Sequence, residues 1–500
     1  MSTLVWFKRD LRVEDHAPLA AAAPGPLVCL YIYEPKIIHS PDFDASHLAY
    51  INGCLEKLAQ QLADRGGELI TRVGNAVDVL DQLRHEVKFD RLVSHQETGN
   101  LLTYSRDRAV RRWARKHGVS WDEFVQDGVV RALADRDGWS RKWNAAMRSP
   151  ILAAPTELRG VPGVQSQGLQ GPERFGLEAF DVSGHRFGTE AAIETLYDFL
   201  HSRGERYQSE MSSPITADSS CSRMSPYLTY GVISKRTVFQ TFEARRDQVR
   251  AERKAKTGIS ADWSRAMASF NKRLHWNGHF IQRLEIQPDL ETTNMSRSMD
   301  GLREDEFDEE RFEAWCEGRT GYPMVDACMR YLKAHRWINF RMRAMLVSFA
   351  SYHLWLDWRR TAPYLAKLFI DYEPGIHYSQ IQMQSGTTGI NSVRIYSPIK
   401  QASDHDPDGA FIRRWVPELA AVPPEHPAEP HKMSTAEQLR YGCIIGKHYP
   451  PPIVDHKEAV RIGKARVYAK RRGEGAWDEA QAVLKRHGSR KRPRRRARAP

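Results

Sequence analysis

The hydrophobic pattern of this chain changes character once, near residue 190, and that change limits the fold more than any single residue does. Before it, short apolar runs of strand length recur: TLVWF at 3–7, LVCLYIY at 27–33, ELITR at 68–72 and RLVSH at 91–95. Between the second and third runs, Leu48, Ile51, Leu55, Leu58 and Leu62 repeat at three- and four-residue intervals, giving a helix with one apolar face. Strand–helix–strand repetition predicts an α/β domain over 1–133, built on a doubly wound parallel sheet. After the change, helical periodicity runs through 191–203, Tyr322 to Trp358 and Glu458 to Lys470, predicting an all-α domain over 193–472. Residues 134–192 hold Pro150, Pro155, Pro162 and Pro172 among several glycines and read as an interdomain connector. A chain of 500 residues exceeds what one core organises, so two domains are the expectation.

Charge is concentrated at one end. Lys485, Arg486, Arg490, Lys491, Arg492, Arg494, Arg495, Arg496 and Arg498 carry nine of the +12 formal charges, leaving about +3 for the folded body. Residues 473–500 therefore read as a basic, disordered tail, either a polyphosphate-binding arm or a solvated terminus. Six cysteines lie far apart without C-x-x-C pairs, which fits a reducing cytoplasm. The start MSTLVWFKRD is charged too early for a secretory signal, and no apolar run is long enough to span a bilayer. A cytoplasmic monomer without membrane attachment is expected.

Several chemistries lack their residues. No G-x-G-x-x-G follows the first strand, so a dinucleotide phosphate turn is missing there. GCIIGKH at 442–448 has one residue too few between its glycines for a phosphate loop, and no Ser or Thr follows Lys447. No H-E-x-x-H, G-x-S-x-G or paired Cys/His constellation is present, so no metal site is expected. A large aromatic inventory, including 13 Trp, remains, and it suits packing, stacking and electron transfer alike.

Four segments, in order, carry a resemblance: WFKRDLRVEDH at 6–16, CSRMSPYLTYGVIS at 221–234, AWCEGRTGYPMVDACMRYL at 314–332 and SPIKQASDHDPDGAFIRRWVPEL at 397–419, extended by YPPPIVDHKEAVR at 449–461. Together they resemble the photolyase/cryptochrome family. The resemblance implies FAD in a bent conformation within the helical domain, an α/β domain of the antenna type, and UV-damaged DNA, single- or double-stranded, as partner. It implies that Tyr207 and the stretch Cys221, Ser222, Arg223, Met224, Ser225 hold the pyrophosphate, a role suited to small donors at a helix start. For Ser222 and Ser225 the plainer reading is helix capping. Trp337, Arg343, Asp371, Tyr372, Glu373 and His377 are implied beside the flavin, with Arg343 paired to Asp371. Trp276 is implied as the stacking face for an extruded base, with Arg273, Phe340, Arg341 and Gln401 as further DNA contacts.

The chain departs from the family pattern at the positions that carry chemistry. Lys8 stands for the usual Arg, and Cys221 for the common Thr. Arg273 replaces a glutamate of the repair pocket, Asn277 and Gly278 follow Trp276, Phe340 replaces an asparagine, and no His pair of the (6-4) type is present. His377 stands where Asn commonly faces flavin N5. Of the tryptophan relay, Trp358 matches the middle member, Ile381 replaces the inner one and Asp305 the outer, leaving Trp355, Tyr378 or Trp337 as substitutes. The clustered cysteines of iron–sulfur photolyases are missing, so no cluster is expected. The expected function is light-driven splitting of cyclobutane pyrimidine dimers by reduced FAD, with a cryptochrome-like photoreceptor acting on a signalling partner as the alternative. A second, antenna chromophore is left open between folate, deazaflavin, lumazine and none.

Overall fold

The structure, a computed structural model, describes residues 2–133 and 135–488. Its first layer is a parallel sheet of β1 (Thr3–Phe7), β2 (Pro26–Tyr33), β3 (Leu69–Val73), β4 (Arg91–His95) and β5 (Ser120–Phe124) in the order β3-β2-β1-β4-β5. The four apolar runs are its interior strands and one edge. The edge strand β5, SWDEF, is half-exposed and charged, so apolar patterning gave no sign of it. The sheet buries both faces: Leu4, Trp6, Val28 and Leu30 pack on one side, and Val5, Phe7, Leu27 and Cys29 on the other.

Strand order reverses between β1 and β4, so the crevice at the carboxyl ends of these strands is the natural ligand position of the sheet. The motif after β1 closes that end. Asp10 accepts from His16 Nε2 at 3.0 Å, from His95 Nδ1 at 2.7 Å and from the Lys8 amide at 2.7 Å. His16 Nδ1 in turn accepts the Leu19 amide at 3.0 Å, so these side chains satisfy one another as a closed buried cluster.

The helical domain is organised around the Ala261–Ile286 helix, against which the Pro374–Ser385 helix packs. The apolar run from Tyr322 to Trp358 is three helices, Pro323–His335, Phe340–Ser348 and the start of Trp358–Leu368, broken where Arg336 takes a left-handed φ of 54°. Two expectations are corrected. The connector is not featureless: Trp139–Met147 is a helix that buries Trp139, Trp143 and Met147, Arg159–Gly160 adds a strand to β2, and the helix Gly188–Asp198 starts before 193. The tail is not disordered from 473, because Ala476–His487 is a helix whose Val483 and His487 are buried. The basic residues from Arg490 to Arg498 lie outside the described residues.

Buried polar bonds tie the two domains together. Arg9 donates to Thr229 O at 3.0 Å and Tyr372 O at 2.8 Å, Arg12 to Gly231 O at 2.9 Å, and His47 to Phe369 O at 2.9 Å. Gly231 has φ 63°, and a Cβ there would collide with the Arg9 carbonyl, so only glycine allows this approach. Among the described residues no helix is long and apolar enough to cross a membrane.

Candidate functional site

The Phe340–Ser348 helix carries the centre of the site on two faces. Inward, Arg343 makes a two-pronged bond to Asp371, Nη1 to Oδ1 and Nη2 to Oδ2, each 2.9 Å. Its Nε donates to the Ile338 carbonyl at 2.7 Å, and its guanidinium lies 4.1 Å from the Phe369 ring, so it is fixed on every side. Burial alone would raise the Asp371 carboxyl, but the Arg343 charge and bonds from Arg343 and Ser225 hold it below the usual range. The pair thus keeps a buried anion and a cation in one fixed geometry.

Next to it runs the segment Cys221 to Ser225. Arg203 donates to the carbonyls of Cys221 and of Ser222, the latter at 2.8 Å, which bends the segment with its carbonyls turned toward that arginine. Arg223 takes φ 58°, its guanidinium stacks 3.8 Å from the buried Trp337 ring, and it pairs with Asp218. Its far side faces a groove of about 670 Å³ shared with His335, Arg414 and Trp415. Met224 is buried, and Ser222 Oγ reaches the Met224 amide at 3.5 Å. The backbone N–H groups of Ser222, Arg223 and Ser225 donate to no protein acceptor among the described residues. Three free amides beside hydroxyls at a helix start fit a pyrophosphate. Burial pushes the Cys221 thiol up to about 12, so it is neutral there, and Tyr207 is likewise raised to about 12.

Outward, the same helix opens on a rim. Phe340 and Trp276 are 40% and 44% exposed, high values for large aromatic side chains. Arg273 lies between them, its guanidinium 4.7 Å from the Trp276 ring and 5.2 Å from the Phe340 ring, and it reaches Met211 Sδ at 3.7 Å. Asn339 pins the helix start by donating to Met211 O at 3.1 Å and Ser212 O at 2.9 Å. Arg341 lies 5.7 Å from the Tyr396 ring, and Gln401 is buried with an unpartnered Oε1.

The remaining residues separate. His377 is buried and shares a 2.9 Å hydrogen bond with the Ala362 carbonyl. Burial lowers it to about 4, so it is neutral, with the proton on Nε2 and a lone pair on Nδ1. Tyr372 and Glu373 are not gathered around Arg343: the Tyr372 hydroxyl donates to Asp42 at 2.6 Å and Glu373 pairs with Arg9 at 3.4 Å, so both side chains serve the domain boundary. The reason is a turn: the Tyr372 amide donates to the Phe369 carbonyl at 2.9 Å with Asp371 inside the turn, so the side chains after it leave in other directions. Trp358 is buried and donates to Asn294 at 2.8 Å, and its nearest ring neighbour is Tyr378 at 6.4 Å, edge-on. Ile381 is buried in the same core, while Asp305 is exposed.

A second cleft of about 140 Å³ occupies the switch point of the sheet, lined by Trp6, Tyr31, Ile38, Phe43, Leu48 and Ile51 and bounded by Tyr372. Lys8 lies beside it, 3.7 Å from Glu97 and 3.5 Å from Asp107, and its buried Nζ has no hydrogen-bond partner. Sequence reasoning missed Arg9, Arg203 and Arg273's stacking. Arg9 stood in plain view within the FKRDLR motif, but nothing local marks Arg203 as the residue that shapes Cys221 and Ser222.

Residues 3–134 match the family described as DNA photolyase, and residues 270–469 match the FAD binding domain of DNA photolyase. A deoxyribodipyrimidine photo-lyase of Streptomyces griseus is 30% identical, with 93% of this chain and 98% of that protein covered. A cryptochrome DASH of Gloeobacter violaceus is 27% identical over 93% of this chain and 95% of its own length. The crystal structure of a bacterial class III photolyase from Agrobacterium tumefaciens superposes with a TM-score of 0.80 at 26% identity, covering 94% of this chain and 98% of that one. With a parallel-sheet domain, a helical domain of the FAD-binding type and relatives that match nearly end to end, this chain belongs to the photolyase/cryptochrome family.

Proposed function

We propose that the protein is an FAD-dependent DNA photolyase that splits cyclobutane pyrimidine dimers under blue light. The observation that carries this reading is the exposed pair Trp276 and Phe340, of which Phe340 stands one helical turn from Arg343 of the Arg343–Asp371 pair. Residues 340 and 343 are three apart on one helix, a rise of about 4.5 Å, so a base stacked on the rim would lie within short electron-transfer reach of a cofactor held beside Asp371. Reduced flavin, when bound, supplies the electron. The chain's own work is to bind and orient. Ser222, Arg223 and Ser225 amides hold the pyrophosphate, Tyr207 and Trp337 pack beside it, Arg343 fixes the charge state of Asp371, and His377 offers a neutral acceptor at Nδ1. Trp276 and Phe340 give a flat apolar seat for an extruded pyrimidine, and Arg341 and the unpartnered Oε1 of Gln401 are the further nucleic-acid contacts of this reading. Buried Trp358 with Tyr378 supplies the internal route by which the protein itself is oxidised when the cofactor is reduced.

The switch-point cleft supports a second chromophore, a planar conjugated ring seated on Trp6, Tyr31 and Phe43 with an acceptor group toward Lys8. A cryptochrome-like photoreceptor is the second reading, and Arg273 favours it. A cation stands where a carboxylate would accept a hydrogen bond from thymine, and it covers the Trp276 face. The deciding experiment illuminates purified, reduced holoprotein with dimer-containing single- and double-stranded DNA. Repair restores thymine in at least one substrate; no restored thymine with confirmed reduced cofactor refutes the lyase reading and leaves the photoreceptor.

A further inference from the structure

Two turns beyond Trp276 on the Ala261–Ile286 helix, four basic side chains meet with no acid among them. Arg136 comes from the chain after β5, His279 and Arg283 from the helix, and His487 from the end of the Ala476–His487 helix. They are 5%, 8%, 4% and 0% exposed. Arg136 Nη2 donates to His279 Nδ1, Arg283 Nε donates to the His487 carbonyl at 3.3 Å, and His487 Nε2 shares a 2.8 Å bond with Gln287 Oε1. Each guanidinium stacks on an aromatic ring, Arg136 at 4.5 Å from Trp139 and Arg283 at 5.3 Å from Phe280. Among the described residues no carboxylate offsets the charge of either arginine, and Arg136 Nη1 and His487 Nδ1 are buried without a hydrogen-bond partner there.

An uncompensated buried cation is costly, and two beside each other more so, because their repulsion adds to the lost hydration. The groups register this. Burial lowers Arg136 to about 10, burial and the Arg136 charge lower Arg283 to about 9, and His279 and His487 fall to about 2 and 3. A fold carries such a cluster when a counter-charge joins it. We propose that Arg136, Arg283 and His487 form a binding site for a small inorganic anion, a halide or an oxyanion such as phosphate, that fastens the C-terminal helix to the catalytic body. The stacked faces of the guanidiniums leave their N–H edges for the ligand, and Arg136 Nη1 and His487 Nδ1 are the unused positions. With none of the four side chains more than 8% exposed, a phosphate within a nucleic-acid strand is kept out while the helix is docked.

Binding is coupled to a proton. With Nε2–H given to Gln287, His487 Nδ1 is a lone pair, and it must gain a proton to donate to an anion. The other charges near that ring, Arg136, Arg283 and Arg486, disfavour this until the anion is in place, so affinity rises as pH falls.

The test compares melting of the holoprotein in sodium gluconate, chloride and phosphate at matched ionic strength, at pH 8 and pH 6. Chloride or phosphate is expected to raise the melting temperature saturably by about 2 °C or more, with the larger rise at pH 6. Arg136→Met is expected to abolish the dependence on anion identity and, in gluconate, to melt no lower than the parent, since it removes an unpaired buried charge. Identical melting of the parent in all three salts, with Arg136→Met less stable in gluconate, overturns the proposal. Should that variant fail to fold, bromide-soaked crystals of the parent decide: an anomalous peak between Arg136 and His487 supports the site, and its absence overturns it. An oligonucleotide that reproduces the shift in gluconate overturns the inorganic assignment in favour of a nucleic-acid phosphate.

Discussion

Arg273→Ala is expected to tighten the binding of dimer-containing single-stranded DNA at high salt, although it deletes a positive charge from the DNA-facing rim. The guanidinium stands on the Trp276 ring at 4.7 Å and the Phe340 ring at 5.2 Å, in the space a stacked base would need. At exposed positions each such contact contributes about 0.5–1 kcal/mol, so displacing the side chain costs a base about 1–2 kcal/mol. That corresponds to a gain of about 5–30-fold in affinity once the side chain is gone. High salt matters because it weakens any compensating contact between Arg273 and a phosphate. Anisotropy titrations of a labelled dimer-containing strand over a salt series measure both quantities. If Arg273→Ala instead weakens binding, and the slope of log K against log salt falls by about 0.7, Arg273 is a phosphate contact and the picture of a side chain covering the stacking face is wrong.

Other consequences follow from buried pairs and rings. Arg343→Met leaves Asp371 as an unpaired buried carboxylate and is expected to cost about 3 kcal/mol, at the low end for such pairs because Arg343 is partly exposed; urea melts and FAD retention measure it, and Arg343→Met/Asp371→Asn should recover part of the loss. His377 at about 4 and His95 at about 3 are lowered from 6.5, so the unfolded chain binds protons first, and stability should fall as pH drops from 6.5 toward 4; the lowered Asp371 carboxyl adds its loss only below its ordinary range, and a urea midpoint unchanged between pH 7.5 and 5 would contradict this. Tyr378→Phe and Trp358→Phe should each slow reduction of the bound flavin by light without altering its dark spectrum, as transient absorption would record. Lys8→Met should reduce retention of any second chromophore while leaving the FAD content of the purified protein unchanged.

What could be read from residues alone was set by local periodicity. The strand runs and the helix of Leu48 to Leu62 are governed by burial patterns within a few residues, and they appear where the pattern puts them. Strand β5 escaped because an edge strand need not be apolar, and Trp139–Met147 escaped because its apolar repeat, Trp139, Trp143 and Met147, is short and lies among prolines. The last helix was hidden by its charge: Lys485 and Arg486 dominate the composition, while Val483 and His487 on the opposite face carry the packing. At the site, the Arg343–Asp371 pairing was implied by matched positions and is present in the geometry. The stacking of Arg273 was not legible, because it depends on Trp276 three residues along one helix and Phe340 on another.

Residues 371 to 373 show why carrying roles across by position has a physical limit. Asp371 lies inside a turn whose Tyr372 amide donates to the Phe369 carbonyl at 2.9 Å, and the chain is extended only by Glu373, so adjacency in sequence does not keep the three side chains together. Asp371 faces Arg343, Tyr372 reaches Asp42 and bounds the switch-point cleft, and Glu373 turns to Arg9. Arg9 closes the arrangement from the other domain by donating to the Tyr372 carbonyl, so the backbone between the two clefts is held by both domains. A segment bonded this way sets the separation between anything seated in the sheet crevice and anything seated beside Asp371. That separation does not rest on either ligand, because Arg9, Asp42 and Arg343 fix the segment through polar bonds that are already complete in the protein alone.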